Sequence, residues 1–546
     1  MPQCEKVMRP FLTIHHPAKA KAYYELGLWT EDTFYGLVAR HAAERPETIA
    51  LQDGRRALSW LELRQLVDGV AADLREYGLA GGDRVSIWMS NRVEAVVMFL
   101  ACAREGIACN PSLHKTYTCA EICELLTSLS ARALLTEASW GADRSQVDFD
   151  AMLVRIPSLK AVYTPDSFPR SIESSSPPNM DPDKIAYLAF TSGTTGQPKC
   201  VMHSDNSLLA NARDLVRDWG QGPDTVLLSL SPLSHHIAWV GVAQWLLAGG
   251  RFVTDDPPAG MSRIDWIEAT GATYVLGVPT HAMDILAEQS RLGRADLGKV
   301  SVFYMAGAPI PPSVAAAFVE QGIKPQNVYG MTENSSHQYT HPTDDANVIV
   351  ESCGRGGRAY EVKLFDPNDP DREIAPGEIG HIGGRGAALM LGYFNNQAAT
   401  EGSFNRAGWF MSGDLGVMDT KGNLRIEGRL KDLIIRGGHN IQPSHIEAIA
   451  VRHKDVQRAA AFPVADDRLG ERVCIAVSGT IGVDELLNHL RSNGLSKYDM
   501  PEYFLRLDEF PLTASGKILK RELVLQVRRG DVQPLFIRDQ TTAKSA

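Results

Sequence analysis

With 546 residues the chain is too long for a single hydrophobic core, and roughly two to four folding units are expected. Hydrophobic residues make up 44% and charged residues 22%, the balance of a globular protein. A net charge of −10 with no long basic run excludes nucleic-acid binding driven by the overall field.

The eight cysteines are scattered, and only Cys119 and Cys123 sit at helical spacing. Nothing beside them has metal-ligand spacing, so they read as reduced thiols. The start "MPQCEKVMRPFL" lacks the apolar core of a signal peptide. The most apolar helix-like run, Ala95 to Ala103, is about half the length needed to span a bilayer. A cytoplasmic protein with no membrane partner is expected.

In chain order, "EDTFYGLVARHAAERP" predicts a helix starting near Asp32 and stopping near Pro46. "TIALQD" predicts a strand. "SWLELRQLVDGVAADLREYG" has apolar residues at helical spacing, with Ser59 as cap and Gly78 as stop. "DRVSIWMS" then reads as a buried strand and "RVEAVVMFLACAREG" as a helix. "SSSPPNMDPD" (Ser174 to Asp183) reads as a flexible surface linker. The strand–helix rhythm continues through "KIAYLAF", "TVLLSLSP", "TYVLGVPT" and "VSVFYMAG", which argues for α/β layers with largely parallel sheets. After about Glu351, short strands alternate with Gly, Pro and Asp turns, the pattern of an antiparallel or barrel-like part. The last 115 or so residues are long enough for a small α+β domain, and the final "RDQTTAKSA" reads as a frayed end.

One loop carries chemistry. "TSGTTGQPK" (Thr191 to Lys199) follows the strand "KIAYLAF". Glycines let backbone N–H groups turn inward, hydroxyls add donors and a lysine adds positive charge, which together suit phosphate. Pro198 before Lys199 and Cys200 after it exclude the Walker arrangement. On composition alone a Ser/Gly-rich surface turn stays open.

Further segments then follow in order: "SPLSHHIAW" (Ser231 to Trp239), "AGAPIP" (Ala306 to Pro311), "VYGMTE" (Val328 to Glu333), "GWFMSGDLG" (Gly408 to Gly416), "EGRLKDLIIRGGHNIQPSHIE" (Glu427 to Glu447) and "PLTASGKILKREL" (Pro511 to Leu523). With the loop they resemble the ordered motifs of the adenylate-forming superfamily of acyl-CoA synthetases, peptide-synthetase adenylation domains and firefly luciferases. The resemblance covers nearly the whole chain. It implies an α/β fold in which residues 1–430 form a large N-terminal domain of α/β layers plus a barrel-like part. Residues 431–546 would form a small, mobile α+β C-terminal domain.

The resemblance implies a reaction in two halves, in which a carboxylate attacks the α-phosphorus of ATP to give acyl-AMP and a thiol then takes the acyl group. It implies ATP, Mg²⁺ and coenzyme A. Thr191, Ser192, Gly193, Thr194, Thr195, Gly196 and Lys199 would wrap the β- and γ-phosphates. Thr332 would contact the α-phosphate, and Glu333 would hold Mg²⁺, a cation that takes hard oxygen ligands. Tyr329 would stack on adenine, with Gly307, Ala308 and Pro309 lining the other side. Asp414 would accept the ribose hydroxyls and Arg429 would assist; Ser412 stands where the family commonly has Thr. Lys517 would bridge the acid and the α-phosphate, with Lys520 as its solvated neighbour. Lys431 would be the hinge about which the small domain rotates. The rotated domain would present Arg436 to Asn440, whose Gly437 and Gly438 leave room for a pantetheine arm. His445 replaces a commoner Glu, and Glu447 is kept.

For the acid pocket the resemblance implies His235, Trp239, Tyr304, Gly307, Met331 and His337, with His235 a gate or carboxylate contact. His236 stands where ligases for siderophore aryl acids carry Asn, which counts against that branch. Trp239 and Tyr304 suggest a compact, cyclic acid. "ACNPSLHKTYTCAEI" resembles ligases for ring carboxylates, cyclohexanecarboxylate-CoA ligase in particular. No carrier domain follows Ala546, so free CoA is the expected thiol. A separate carrier protein and a catalytically silent nucleotide-binding homologue are the alternatives. Acetylation of Lys517 by a lysine acetyltransferase is a further expectation, since it would remove the charge.

Overall fold

The computed structural model describes residues 17–174, 176–191, 198–437, 439–512 and 518–537. The chain divides into two compact units. One takes the residues up to Val362 with Gly384–Phe410 and Lys421–Leu424; the other takes Lys363–Gly383, Met411–Thr420 and everything from Arg425 on.

Local signals set many of the element ends. The helix Phe34–Glu44 starts two residues after Asp32, with the Thr33 hydroxyl accepting the Gly36 N–H. Ser59 and Glu62 form a reciprocal capping box at the head of the helix Trp60–Glu76. The helix Val93–Glu105 is buried over almost its whole circumference, as its continuous apolar text requires.

The first unit holds two mainly parallel sheets. One has eight strands, with Lys324–Met331 and Ser335–Tyr339 as an antiparallel hairpin at one edge. Inward from that hairpin lie Val302–Ala306, Tyr274–Gly277 and Val226–Ser229, all parallel. The other has seven strands, and at its edge Ile185–Thr191, Lys199–Ser204 and the short Gly392–Tyr393 pair antiparallel in that order. A common core fed by both sheets and their helices contains Phe99, Tyr187, Trp239 and Tyr304.

Ser174, Ser176 and Asn179 are pinned, which corrects the reading of this stretch as a flexible linker. The buried Arg104 guanidinium donates to the Ser176 carbonyl at 2.7 Å and to the Ser174 hydroxyl at 3.2 Å. The Asn179 N–H donates to the Arg104 carbonyl at 2.7 Å. Composition favours a linker there, but a buried cation supplies the partners its backbone needs.

In the second unit, short strands between Asp369 and Arg429 belong largely to a five-stranded sheet, in the region expected to be barrel-like. A further sheet is built around the long antiparallel pair Val456–Asp466 and Gly470–Gly479, with the helices Pro443–Ala450, Val483–Ser492 and Lys520–Arg529. Among the described residues no helix is long and apolar enough to cross a membrane.

Candidate active site

The site begins on the strand Lys199–Ser204. Its side chains alternate: Cys200 and Met202 enter an apolar cluster with Leu188 and Phe190, while Lys199, Val201 and His203 take the other face. Thr191 pairs with Lys199 across the hairpin, and its hydroxyl donates to the Lys199 carbonyl at 3.4 Å. Ser192, Gly193, Thr194, Thr195 and Gly196 lie outside the described residues.

On the other side of this strand, Tyr393 pairs with Val201. The Lys199 ammonium sits 4.7 Å from the centre of the Tyr393 ring. The Tyr393 hydroxyl donates to the Glu333 carboxylate at 2.9 Å. Burial first, then the neighbouring Glu333 charge, pushes the Tyr393 phenol well above its ordinary range, so it remains a proton donor. Sequence reasoning missed Tyr393, because "LGYFNN" carries no catalytic signal of its own.

Thr332 and Glu333 occupy the turn between Lys324–Met331 and Ser335–Tyr339. The turn is tightly built: a Cβ on Gly330 would lie 1.7 Å from the Ser335 carbonyl oxygen, and Ser335 adopts a φ of 56°. The Asn334 side chain accepts the Met331 N–H at 3.0 Å. Outside groups hold the rest. His203 Nε2–H donates to the Thr332 carbonyl at 2.7 Å, and the Met390 N–H donates to the Glu333 carbonyl at 2.7 Å. His203 Nδ1 meets the Ser207 hydroxyl at 2.9 Å, so both ring nitrogens are engaged.

Tyr329 and Gly307 lie near the carboxyl ends of adjacent parallel strands, since Ala306 is in register with Val328. Open α/β sheets bind ligands at such ends. Gly307 has a φ of 89°, and with Ala308 and Pro309 it forms an exposed turn. Tyr329 is half-buried, with its ring edge-on to His337 at 5.4 Å.

The residues expected around the acid are distributed unevenly. His235 stands at the head of the helix His236–Ala248, its ring 4.6 Å from that of His114. His114, not singled out from the sequence, bonds the Ser234 hydroxyl at 3.1 Å. His236 is locked between the Tyr187 and Ser335 hydroxyls at 3.2 and 3.1 Å. Trp239 is buried against Phe99 and donates its indole N–H to the Leu233 carbonyl at 2.6 Å. Tyr304 is buried too, with its hydroxyl bonded to that of Ser336. Met331 is half-buried. His337 packs between Tyr329 and Tyr360, and both its ring nitrogens are buried without a hydrogen-bond partner among the described residues.

Burial alone takes His114 to about 4 and His337 to about 3. Burial takes His203 to about 4 against the upward pull of the Thr332 carbonyl, and drives His236 well down. All are neutral at pH 7. The unfolded chain takes up their protons first as pH falls from 6.5, so the stability they carry is full above 6.5 and is lost progressively towards 4. At about 1.4 kcal/mol per pH unit, His203 alone accounts for ~3 kcal/mol over that window. Thermal unfolding is expected to show a midpoint that falls across it, with a shallower slope in His203→Gln; an unchanged slope in that variant would contradict the assignment.

In the second unit, Asp414 is nearly buried and pairs with Arg429 at 3.4 Å, while its N–H donates to the Ser412 hydroxyl at 3.0 Å. Lys431 lies in a short 3-10 turn, Leu430–Asp432, directly after Arg429. Gly437 has a φ of 58° and its N–H donates to the Leu469 carbonyl at 2.8 Å. Gly438 and Lys517 lie outside the described residues. Lys520 is not a solvated neighbour: its ammonium pairs with the Glu447 carboxylate at 2.7 Å, and Glu447 also accepts the Ala461 N–H at 2.6 Å.

Residues 38–394 match the AMP-binding enzyme family, and residues 445–517 match the AMP-binding enzyme C-terminal domain. The chain belongs to the AMP-binding enzyme family. It is an AMP-forming acid–thiol ligase by membership, of the acyl- or aryl-CoA or AMP ligase kind. It is 28% identical over 536 residues to the medium-chain fatty-acid–CoA ligase of Escherichia coli (strain K12), covering 94% of each chain. It is 30% identical over 532 residues to the 2-hydroxy-7-methoxy-5-methyl-1-naphthoate–CoA ligase of Streptomyces carzinostaticus, covering 92% of this chain and 95% of that one. The structure of o-succinylbenzoate coenzyme A synthetase from Bacillus subtilis in complex with ATP and magnesium ion superposes with a TM-score of 0.79 at 26% identity, over 89% of this chain and 98% of that one.

Proposed function

We propose that this chain activates a cyclic or aromatic carboxylate with ATP and passes the acyl group to free coenzyme A in the cytoplasm, with cyclohexanecarboxylate as the first acid to test. The observation that carries the reading is the meeting of Lys199, Tyr393 and Glu333, which sets an ammonium and a carboxylate at one place. The naphthoate ligase among the relatives supports the ring acid.

Adenylation brings one anion to another, so charge neutralisation and positioning supply most of the acceleration. The hard carboxylate oxygens of Glu333 suit Mg²⁺, which when bound would neutralise phosphate charge, and the Thr332 hydroxyl would contact the α-phosphate. Thr191 and Lys199, with Ser192 to Gly196, hold the terminal phosphates in this reading. Tyr329 and the Gly307–Pro309 turn take the adenine, and Asp414 with Arg429 takes the ribose. Lys517 steadies the acid oxygen as it bonds to the α-phosphorus and the bond to pyrophosphate breaks. His235, Trp239, Tyr304, Met331 and His337 surround the acid, the His337 imidazole, without a hydrogen-bond partner among the described residues, being the group available to a polar substituent.

For thiolation, residues 431–546 turn about Lys431 and bring Gly437 and Gly438 to the pantetheine arm. Acetylation at Lys517 would silence adenylation by removing its charge. Pyrophosphate release over cyclohexanecarboxylate, benzoate, salicylate and medium-chain acids, with and without CoA, tests the reading. Release only with straight-chain acids would reject the ring acid, and acyl-AMP that never becomes a thioester with free CoA would move the thiol to a carrier protein.

A further inference from the structure

The segment that follows the large core of the first unit, Met390 to Tyr393, touches three parts of the proposed nucleotide site at once. Its Met390 N–H holds the Glu333 backbone carbonyl at 2.7 Å. Its Tyr393 hydroxyl holds the Glu333 carboxylate at 2.9 Å. The Tyr393 ring lies under the Lys199 ammonium at 4.7 Å. Tyr393 itself has little freedom. It is 3% exposed, packs with Val201, Met390 and Phe410, pairs with Val201 in the sheet, and donates its N–H to the Thr400 hydroxyl at 2.9 Å. A phenol fixed in this way at its ring and its backbone orients whatever its hydroxyl and its face contact.

We infer that Tyr393 is a positioning residue of the nucleotide site, its hydroxyl setting the Glu333 carboxylate for the metal and its ring setting the Lys199 ammonium for the phosphates. This rests on the adenylation reading above. The two contacts use different parts of one side chain, so they separate by mutation. Tyr393→Phe removes the hydroxyl and keeps the ring; Tyr393→Leu removes both.

ATP binding is measured by calorimetry with and without Mg²⁺, alongside the Mg²⁺ dependence of pyrophosphate release and thermal unfolding. Tyr393→Phe is expected to weaken Mg²⁺-dependent ATP binding roughly tenfold, as loss of a hydrogen bond to a charged group does, while ATP binding without Mg²⁺ and the KM for the acid stay close to wild type. Tyr393→Leu is expected to weaken ATP binding without Mg²⁺ as well. Glu333→Gln with Tyr393→Phe is expected to be no worse than Glu333→Gln alone, because the two act as a unit. Wild-type Mg²⁺ dependence in Tyr393→Phe, or additive losses in the double variant, overturns the inference. A lowered unfolding midpoint with unchanged Mg²⁺ dependence overturns it too, since a packing role alone predicts that. If wild type does not bind ATP at all, the adenylation reading itself fails.

Discussion

Replacing Lys517 by alanine is expected to abolish acid-dependent ATP–pyrophosphate exchange while leaving the transfer of supplied acyl-AMP to CoA near its normal rate. A flexible ammonium is the group suited to follow charge as it moves from the acid oxygen to the α-phosphate. Loss of one such transition-state stabiliser costs about 10²–10³ in rate. Thiolation starts from acyl-AMP, in which that charge has already been dispersed, so the same lysine has nothing to stabilise there. The flanks of the segment are held: Leu512 and Ile518 form an isolated antiparallel bridge around it. Exchange and thioester formation are measured separately on one preparation. Equal loss of both halves would remove Lys517 from its assigned role and point to a general disturbance of the C-terminal body.

Gly437→Leu is expected to do the reverse, sparing pyrophosphate exchange and lowering thioester formation at least about a hundredfold, the loss that follows a misplaced reacting group. Two effects must be kept apart. Gly437 has a φ of 58°, so any side chain strains the backbone there by ~1–3 kcal/mol. An added Cβ would also sit 3.3 Å from Leu469 Cδ2, a contact that a shift of the Leu469 side chain can relieve. Gly437→Ala carries the strain with little bulk and serves as the control. If alanine and leucine depress thiolation equally, strain accounts for the loss and the proposed channel for the pantetheine arm is not at Gly437.

Features that depend on neighbours in the chain could be read directly. The Ser59–Glu62 capping box is one, since both partners lie within four residues and each satisfies the other's backbone. The strand, glycines, hydroxyls and lysine behind the proposed phosphate loop are likewise contiguous, although residues 192–197 lie outside the described residues. What the sequence left hidden is built by pairing at a distance. Lys520 looks like any solvated lysine until the fold brings Glu447 to it. Ser174 to Asp183 looks like a linker until Arg104 is seen beneath it. Tyr393 reads as a strand aromatic, and only the pairing of Gly392–Tyr393 with Lys199–Ser204 carries it to Glu333. The helix His236–Ala248 is apolar on nearly every face, and such a helix buries its aromatics wherever they fall.

The one-sided arrangement of Lys199, Val201 and His203 ties together this part of the proposed nucleotide site. Lys199 meets Tyr393 through space, Val201 meets it through the backbone, and His203 grips the turn that bears Thr332 and Glu333. Slipping that strand by one position would turn all of them towards the cluster of Leu188 and Phe190 and set Cys200 and Met202 on the side of Tyr393 in their place. A designer wishing to regraft the proposed nucleotide cradle elsewhere would have to transplant both edge strands together with the hairpin turn they secure.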